Sequence, residues 1–495
     1  MSKLTVWQNG ICRELECTAG APLWKILLDA GYETVRPCGG NGTCGKCTVS
    51  LSGQVSAPNA QEQKARARLA CQTRILGDAT VILPDSKKIS QIETAVHLEY
   101  LTVASSQEGY GAALDIGTTT LAMQLYDLTS GKCLAQATSE NPQRAVATDV
   151  MGRIGAALAG QGALLQQQIE TAAETLLAEV CRKAAVEKAQ VSQLVVTGNT
   201  TMLYLLTGQD PNCLSHAPFE ADTLFDLQVS FLGIPTYLPP CMNAFVGADI
   251  TCAVFAAGMC EDSRTALLCD IGTNGELALW KGRCLYVTST AAGPAFEGAG
   301  ISCGISSIPG AIDRVWVEQD SIQVHTIGGA PAVGLCGSGL LDAIAAGLQL
   351  EAIDETGAMD DPLSLAEGVA LQPKDVRAVQ LAKAAIAAGI QTLLETAGIS
   401  ASDVEQVFIA GGFGSHLDVE NAAYIGLIPT EFLSRVSVIG NAALSGAIAI
   451  LLDESRKETV RQIARSSSHI NLGGNPRFNE HYMEQMFFET DLPVS

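Results

Sequence analysis

Hydrophobic and polar residues alternate along the first part of the chain in the way that short β-strands require, with one helical interval. The alternation begins at residues 2–6. A helix is predicted over residues 22–30, because a proline opens this apolar stretch and a glycine follows it. Strands are predicted at residues 49–51 and 79–83. These elements predict a small domain of strands and one helix over residues 1–85.

From residue 110 onward the pattern changes, and one arrangement occurs twice. A strand leads into the turn Asp-Ile-Gly-Thr and a second strand returns from it, over residues 113–126 and again over residues 268–280. Each half continues with an amphipathic helix and a strand that ends in glycine. The helical faces are marked by Leu165, Ile169, Ala172, Leu176 and Val180 in the first half and by Ile386, Ile390, Leu393 and Leu394 in the second. Two equivalent halves imply a cleft between them.

This organisation predicts a multi-domain protein that combines the α+β and α/β classes. The polar stretch at residues 86–109 is expected to be a linker, and the two halves are expected at residues 110–260 and 261–455. Residues 456–495 are expected to form a C-terminal extension packed on the domain that the two halves make up. A chain of 495 residues is too long for one hydrophobic core. Hydrophobic residues make up 47% but aromatic residues only 5%, so the core consists largely of aliphatic side chains, which favours α/β layers.

The net charge, the hydropathy and the cysteine content indicate which partners and which compartment to expect. The chain has 30 Lys and Arg against 52 Asp and Glu, a net charge of −22, which argues against binding to nucleic acid. No apolar run approaches the length of a membrane span, so no membrane association is expected. The 16 cysteines follow no secretion signal, which predicts reduced thiols in a cytoplasmic protein.

Four cysteines have the spacing of a metal centre. Cys38, Cys44 and Cys47 lie within ten residues in a glycine-rich stretch whose backbone can curl around a cluster, and Cys71 follows downstream. Three clustered cysteines plus a distant one are typical of ferredoxins. A structural zinc site, the main alternative, usually has two short pairs of ligands, and Cys71 has no close partner in the sequence. The pattern therefore favours an iron–sulfur cluster.

The five-residue gap between the first two cysteines resembles the adrenodoxin-like branch of the 2Fe-2S ferredoxins. The resemblance covers about the first 85 residues. It implies a β-grasp ferredoxin domain and a 2Fe-2S cluster that carries one electron at a time.

The two Asp-Ile-Gly-Thr turns offer chemistry that suits a nucleotide. Asp115 and Asp270 each end a strand that is expected to be buried, and glycine and hydroxyl residues follow at once. A carboxylate can hold Mg²⁺ through water, glycine lets the backbone approach a phosphate, and Thr donates hydrogen bonds to phosphate oxygens. One copy alone is more simply an ordinary hairpin turn. Two copies followed by Gly-Gly-Phe-Gly at residues 411–414 are more specific.

This set of motifs resembles the phosphate and adenosine motifs of the actin, sugar-kinase and chaperone-ATPase superfamily over about residues 110–455. The resemblance implies a duplicated, two-lobed ATPase with ribonuclease H-like halves. It implies that Asp115 and Asp270 hold Mg²⁺ and its waters. The residues implied to bind ATP are Gly117, Thr118, Thr119, Thr120, Gly272, Thr273, Asn274, Gly275, Gly411, Gly412, Gly414 and Asn441.

A ferredoxin domain fused to such an ATPase resembles the reductive activators of corrinoid proteins. Further stretches that resemble this family include residues 245–250, 291–298 and 335–340. The resemblance implies that ATP drives one electron from the cluster to Co(II) of a corrinoid protein in a methyltransferase system, and that an upstream low-potential donor supplies the electron. Longer members carry a small extra domain before the ATPase, which is missing here. The protein is therefore expected to be a monomer or a homodimer.

Several roles stay open at the level of the sequence. Glu297 could place a carboxylate near the γ-phosphate, with a buried structural glutamate as the alternative. Ser289 and Ser338 are candidates for approaching the cobalt, with a role in turns as the alternative. The rival functions are a small-molecule kinase with an electron-transfer domain, an ATP-driven donor to another low-potential metalloprotein, and a redox-sensing ATP-binding module without reductase activity.

Overall fold

The computed structural model describes residues 2–8, 11–30, 32, 47–65, 67–83, 108–261, 263–412 and 417–488. The chain divides into two compact units. The first comprises Met1–Lys88 and Pro142–Ala156, and the second comprises Ile89–Asn141 and Ala157–Ser495. The predicted cluster ligands Cys38 and Cys44 and the predicted adenosine-site residue Gly414 lie outside the described residues.

The first unit contains a five-stranded sheet with a short helix packed on one face. Its elements are β1 (Ser2–Gln8), β2 (Ile11–Cys17), α1 (Leu23–Asp29), β3 (Thr48–Val55), α2 (Ala60–Ala65), β4 (Arg68–Leu69), β5 (Ile75–Ile82) and α3 (Val150–Ala156). The strand order is β2-β1-β5-β3-β4. The predicted helix and both predicted strands are confirmed, and the strands extend further than the sequence pattern indicated. Leu4, Val6, Leu23, Leu27 and Val81 form the buried core.

The second unit begins with a six-stranded sheet. Its elements up to residue 256 are β6 (Tyr110–Ile116), β7 (Thr120–Asp127), β8 (Lys132–Glu140), α4 (Gly162–Ala184), β9 (Val191–Gly198), α5 (Thr200–Thr207), β10 (Leu227–Phe231), β11 (Ile234–Leu238) and α6 (Ala248–Ala256). The strand order is β10-β11-β9-β6-β7-β8, with β6 to β8 antiparallel and β9 parallel to β6. The amphipathic helix is confirmed as α4, although Ala173 rather than Ala172 takes the buried position.

A second six-stranded sheet follows. The remaining elements are β12 (Ala266–Ile271), β13 (Gly275–Lys281), β14 (Cys284–Thr290), β15 (Ala311–Glu318), β16 (Ser321–Thr326), β17 (Gly334–Leu335), α7 (Gly337–Gln349), β18 (Leu363–Ala366), β19 (Val369–Leu371), α8 (Pro373–Ala397), β20 (Gln406–Ala410), α9 (Val419–Tyr424), β21 (Val436–Gly440), α10 (Ala442–Leu452), α11 (Arg456–Arg465), β22 (Ser467–His469) and α12 (Pro476–Glu484). The order β21-β20-β12-β13-β14-β22 places β20 parallel to β12. Strands β12, β13 and β14 thus repeat the arrangement of β6, β7 and β8, which confirms the duplicated fold.

The parallel strand beside each hairpin determines which residues meet at the turns. Asp115 pairs with Thr197 of β9, and Asp270 pairs with Ala410 of β20. The carboxyl ends of parallel strands lie at the same edge of a sheet. Each Asp-Ile-Gly-Thr turn therefore lies next to a glycine that ends the neighbouring strand, Gly198 in one half and Gly411 in the other.

One hydrophobic core is shared by the two halves. Helices α6 and α10 pack against each other and contribute to it, together with side chains from β6 and β12. A Cβ atom at Gly446 of α10 would overlap the carbonyl oxygen of Cys252 on α6. Glycine at this position therefore allows the two helices to touch through their backbones.

Among the helices that the structure describes, none is both long enough and apolar enough to span a membrane.

Candidate functional site

Asp115 and Asp270 occupy equivalent positions at the ends of β6 and β12. Oδ2 of Asp115 accepts a hydrogen bond of 2.9 Å from Nδ2 of Asn441, the residue that caps α10. Burial raises the pKa of Asp115 to about 6, against the opposing effect of this hydrogen bond. Burial also raises the pKa of Asp270, to about 7, and the charges of Asp115 and Glu297 act in the same direction. The charge of one predicted magnesium-binding carboxylate, Asp115, therefore contributes to the raised pKa of the other, Asp270.

Two further carboxylates belong to the same group, and sequence analysis did not identify them as site residues. Asp249 lies in the first turn of α6, where burial and then the charges of Asp270 and Asp115 raise its pKa to about 8. Glu276 pairs with Asp270 across the β12–β13 hairpin, and burial together with Asp249 and Asp270 holds its pKa well above the usual range. The signals in the sequence were an acidic residue directly after Gly-Ala at a helix start and a glutamate within an otherwise apolar strand.

Glu297 joins the two predicted phosphate loops. Thr273 donates a hydrogen bond of 2.9 Å to Oε1 of Glu297, and Thr119 donates a short hydrogen bond to Oε2. The hydroxyl oxygens of Thr119 and Thr273 are 3.3 Å apart. The turn after β6 and the turn after β12 therefore meet directly. Thr118 is held separately, because its hydroxyl accepts a hydrogen bond of 3.1 Å from Nδ2 of Asn199.

Glycine is required at different positions of the two turns for different structural reasons. The N–H of Gly117 donates to the carbonyl of Thr120 at 2.9 Å, and a Cβ at Gly117 would lie 2.8 Å from that oxygen. The N–H of Gly272 donates to the carbonyl of Asn274 at 3.0 Å, which closes the second turn. A Cβ at Gly275 would lie 2.6 Å from the hydroxyl oxygen of Thr290, so this glycine is required by packing between β13 and β14.

The structure shows a steric reason for glycine at position 411 that the sequence did not indicate. Its φ is +94°, and a Cβ there would lie 2.7 Å from Oδ1 of Asp270. Glycine is therefore required by the carboxylate of Asp270, irrespective of any adenosine. At Gly412 a Cβ would meet no heavy atom of the described residues within 4 Å.

The carboxylates of this group lack a cationic partner among the described residues. None of Asp115, Asp249, Asp270, Glu276 and Glu297 forms an ion pair with Lys, Arg or His there. The same part of the chain contains no group of three or more acidic, His or Cys side chains arranged to hold a metal ion. Mg²⁺ is usually held by only one or two carboxylates, with waters and substrate phosphates completing its shell. The donor set therefore fits a magnesium ion that arrives with a nucleotide.

The first unit brings two of the four predicted cluster cysteines together. In the antiparallel pair of β3 and β4, Thr48 lies opposite Leu69, so Cys47 and Cys71 flank the same end of the ladder. The N–H of Ala70 donates to the carbonyl of Cys47 at 2.8 Å. The side-chain amide of Gln72 lies 3.6 Å from Sγ of Cys71 and donates to it. Two cysteines on adjacent segments, one of them with a hydrogen-bond donor to its sulfur, fit an iron–sulfur cluster.

Glu62 holds the segment that carries Cys71. Its carboxylate accepts hydrogen bonds of 3.0 Å from Nε of Arg68, the N–H of Leu69 and the hydroxyl of Thr73. Burial acts to raise the pKa of Glu62, but these bonds outweigh it and hold the pKa below its usual range. Glu62 therefore fixes the residues on both sides of Cys71.

The two serines considered as cobalt contacts have partners inside the second half. The hydroxyl of Ser338, in the first turn of α7, donates to the carbonyl of Asp313 at 2.9 Å. The hydroxyl of Ser289, on β14, donates to Oε1 of Glu276 at 3.4 Å. Ser338 is 6% exposed, so it is buried within the fold of this half.

Three family descriptions match successive parts of the chain. Residues 7–76 match the 2Fe-2S iron-sulfur cluster binding domain, residues 110–262 match the RACo middle region, and residues 264–493 match the C-terminal domain of RACo, the ASKHA domain. These matches support an iron–sulfur cluster in the first unit and nucleotide binding in the second.

Individual relatives cover most of the chain. The corrinoid activation enzyme RamQ of Eubacterium limosum is 38% identical over 427 residues, which are 78% of this chain and 71% of that protein. The [Co(II) methylated amine-specific corrinoid protein] reductase of Methanosarcina barkeri is 27% identical over 426 residues, 77% of each chain. A solved structure of a reductive activator for corrinoid, iron-sulfur protein superposes with a TM-score of 0.73 at 26% identity and covers 99% of both chains. The chain belongs to the family of reductive activators of corrinoid proteins.

Proposed function

We propose that this protein uses ATP to drive the transfer of one electron from a 2Fe-2S cluster to Co(II) of a corrinoid protein, which regenerates Co(I). The observation that carries the proposal is the contact of Thr119 and Thr273 with Glu297, because it joins the two halves of a nucleotide-binding fold at their phosphate loops. The same chain carries an iron–sulfur domain. The names of its relatives identify a corrinoid protein as the partner.

In this proposal the two turns hold the phosphates of MgATP. Asp115 and Asp270 hold the Mg²⁺ through its waters, since their buried charges lack another counter-ion in the described ranges. The magnesium ion supplies charge neutralisation at the phosphates when it is bound. Thr118, Thr119 and Thr273 donate hydroxyl hydrogen bonds to phosphate oxygens, as do the N–H groups of the turns. Gly117, Thr120, Gly272, Asn274 and Gly275 shape the two turns, and Gly411, Gly412, Gly414 and Asn441 line the adenosine side.

Glu297 is suited to act on the terminal phosphate. In the structure it accepts hydrogen bonds from one threonine of each phosphate loop. A bound phosphate would take these hydroxyl donors, and the freed carboxylate would then orient a water and accept its proton. The distance between the two phosphate loops, and with it the position of Glu297, would therefore differ between the protein with and without a bound terminal phosphate.

The cluster is assigned to Cys38, Cys44, Cys47 and Cys71, and it supplies one electron at a time. After each transfer the cluster must be reduced again by an upstream low-potential electron donor. Each 59 mV of mismatch in a one-electron couple is about a tenfold penalty in the equilibrium constant. ATP can offset that penalty if the ATP-bound form has a higher affinity for the Co(I) protein than for the Co(II) protein, because a ligand shifts an equilibrium only through differential affinity.

The test is anaerobic absorbance spectroscopy of the reduced protein mixed with a Co(II) corrinoid protein, with and without MgATP. We expect Co(I) to appear only with MgATP and to be lost in Cys47→Ala and in Asp270→Asn. Glu318→Gln, an exposed substitution on β15, serves as the matched control for loss of a carboxylate. Bleaching of the cluster without any Co(I) would contradict the proposal and favour another metalloprotein as acceptor. Phosphate transfer to a metabolite without a partner protein would favour a kinase, and a protein that does neither would favour a redox sensor.

A further inference from the structure

A cavity of about 500 Å³ lies in the second half, apart from the carboxylate group described above. The end of α8 and the segment that follows it form one side, and the segment before β21 and helix α12 form the other. Small-molecule sites typically have volumes of about 300–1,000 Å³. The cavity is therefore large enough for a small organic ligand, and neither the family nor the reaction assigns it one.

The charges around the cavity favour a cation. Glu395 and Glu431 line it, and its lining contains neither Lys nor Arg. Arg477 pairs with Oε1 of Glu395 at 3.2 Å from outside the lining, while Glu431 has no ion pair among the residues that the structure describes. The last turn of α8 borders the cavity and carries no basic residue. The carbonyl groups at a helix C-terminus carry a partial negative charge that attracts cations.

Two lining residues have polar atoms that lack a hydrogen bond. Oε1 of Gln391 and Nδ1 of His481 are buried without a partner in the described part of the chain. Nε2 of His481 lies 3.3 Å from Oε2 of Glu395, and Nδ1 lies 3.6 Å from Glu484. Rotation about the terminal torsion of Gln391 exchanges its amide oxygen and nitrogen at little cost, since that torsion has broad minima. Oε1 of Gln391 has almost no exposed surface in this conformation, so the rotation is what would turn an amide oxygen towards a ligand with N–H donors.

The rest of the lining is apolar and includes Leu394, Ile399, Ile428 and Pro429. We propose that the cavity binds a small organic cation that combines N–H donors with an apolar chain, as in primary amines and guanidinium compounds. The N–H groups bind Glu431 and Gln391, and the chain packs against the aliphatic side chains.

The test is isothermal titration calorimetry of the full-length protein with agmatine, putrescine and spermidine as probes. We expect at least one of them to bind with a Kd below about 1 mM. Glu431→Gln removes the negative charge that binds the cation, so it should weaken binding. The expected factor is only about five, because the carboxylate of Glu431 is exposed and solvent screens its charge. Gln391→Leu removes the amide while keeping a side chain of similar size, and it should weaken binding by about the same factor.

Two controls make the result specific. Glu318→Gln removes a carboxylate from β15, away from the cavity, and should bind the probe as the parent protein does. Tetramethylammonium has the charge but no N–H donor, so it should bind at least about tenfold more weakly. The proposal is overturned if all three probes fail to bind below about 1 mM, if tetramethylammonium binds equally well, or if neither cavity variant changes the affinity.

Discussion

The side-chain amide of Asn441 donates a hydrogen bond of 2.9 Å to the carboxylate of Asp115, a residue 326 positions earlier in the chain. The side-chain oxygen of Asn441 accepts from the N–H of Leu444 at 2.8 Å and so caps α10. One residue therefore fixes both the start of a helix and the orientation of a proposed magnesium-binding carboxylate. Asp115 belongs to the first half, whereas Asn441 directly follows β21 of the second sheet.

The first prediction separates these two roles of Asn441. Serine retains a capping hydroxyl but is too short to reach Asp115, so Asn441→Ser should change the free energy of unfolding by less than about 1 kcal/mol. ATP hydrolysis should fall about tenfold, because a hydrogen bond to a charged group is lost. Steady-state ATPase assays and urea unfolding measure the two effects. Asn475→Ser, at the N-cap of α12, is the matched control and should leave hydrolysis unchanged. Equal ATPase activity in both variants would show that the contact with Asp115 does not matter for catalysis.

The second prediction concerns the charge of Glu297. Glu297→Gln keeps a group that can bond to Thr119 and Thr273 but removes the negative charge and the basic oxygen. We expect hydrolysis to fall about 100-fold, in line with the loss of a general base. Affinity for ATP should stay the same or increase, because a negative charge facing the phosphates is gone. Single-turnover hydrolysis and calorimetric titration with ATP distinguish the two quantities. An unchanged hydrolysis rate would assign Glu297 a structural role only.

The third prediction is a pH dependence in the iron–sulfur domain. Glu62 has a lowered pKa in the folded protein, so its contribution is present above the unfolded-state pKa of about 4.3 and is lost as the pH falls through the folded-state value. Glu62→Gln should destabilise the segment around Cys71 by about 1–3 kcal/mol at pH 7. The difference from the parent protein should shrink towards pH 4. Thermal unfolding of the domain as a function of pH measures this effect.

A second measurement tests the link between Glu62 and Cys71. At pH 7 the cluster absorbance of Glu62→Gln should decay faster in the presence of an iron chelator than that of the parent protein. Gln63→Ala, at an exposed neighbouring position, is the control. Equal decay rates would show that the hydrogen bonds of Glu62 do not stabilise the cluster.

The fourth prediction concerns the buried lysine of α8. Lys383 is 0% exposed, and its ammonium group donates to the carbonyls of Gln485 and Phe487 at 2.8 and 2.5 Å. Lys383→Met fills the same space but leaves these carbonyls without their charged donor, so the free energy of unfolding should fall by about 2–3 kcal/mol. The end of the chain should also become more sensitive to carboxypeptidase. Lys374→Met, at an exposed position of the same helix, is the control. No change in either measurement would contradict this account.

The sequence was sufficient for the fold because its signals were local and repeated. The duplicated Asp-Ile-Gly-Thr hairpins and the amphipathic helix of the second half follow from residues that are close along the chain, and the structure confirms both, the helix as α8, which is capped by Gly398. Glycine at a helix end adopts positive φ at little cost, and Gly398 has a φ of +66°. Such features need no knowledge of the rest of the molecule.

The contacts at the site depend on residues far apart in the chain, and the sequence could not reveal them. The partner of Asp115 is Asn441, and the steric reason for Gly411 is the carboxylate of Asp270. Asp249 reaches the same group of charges from a helix start about 21 residues before Asp270 along the chain. The tertiary fold decides these relationships, and no local pattern encodes which distant residues it brings together.

The backbone contact between Gly446 of α10 and Cys252 of α6 has a mechanical consequence. Two helices that touch through their backbones have no layer of side chains that could repack during a motion. An opening of the two halves that keeps this contact would therefore be a rotation about it. In a rotation the displacement grows with the distance from the axis, so a few degrees at the crossing would become a larger separation of Thr119 from Thr273. The crossing of α6 and α10 would then be the pivot of the movement. Binding or loss of a phosphate between the two loops would change the angle between the two halves.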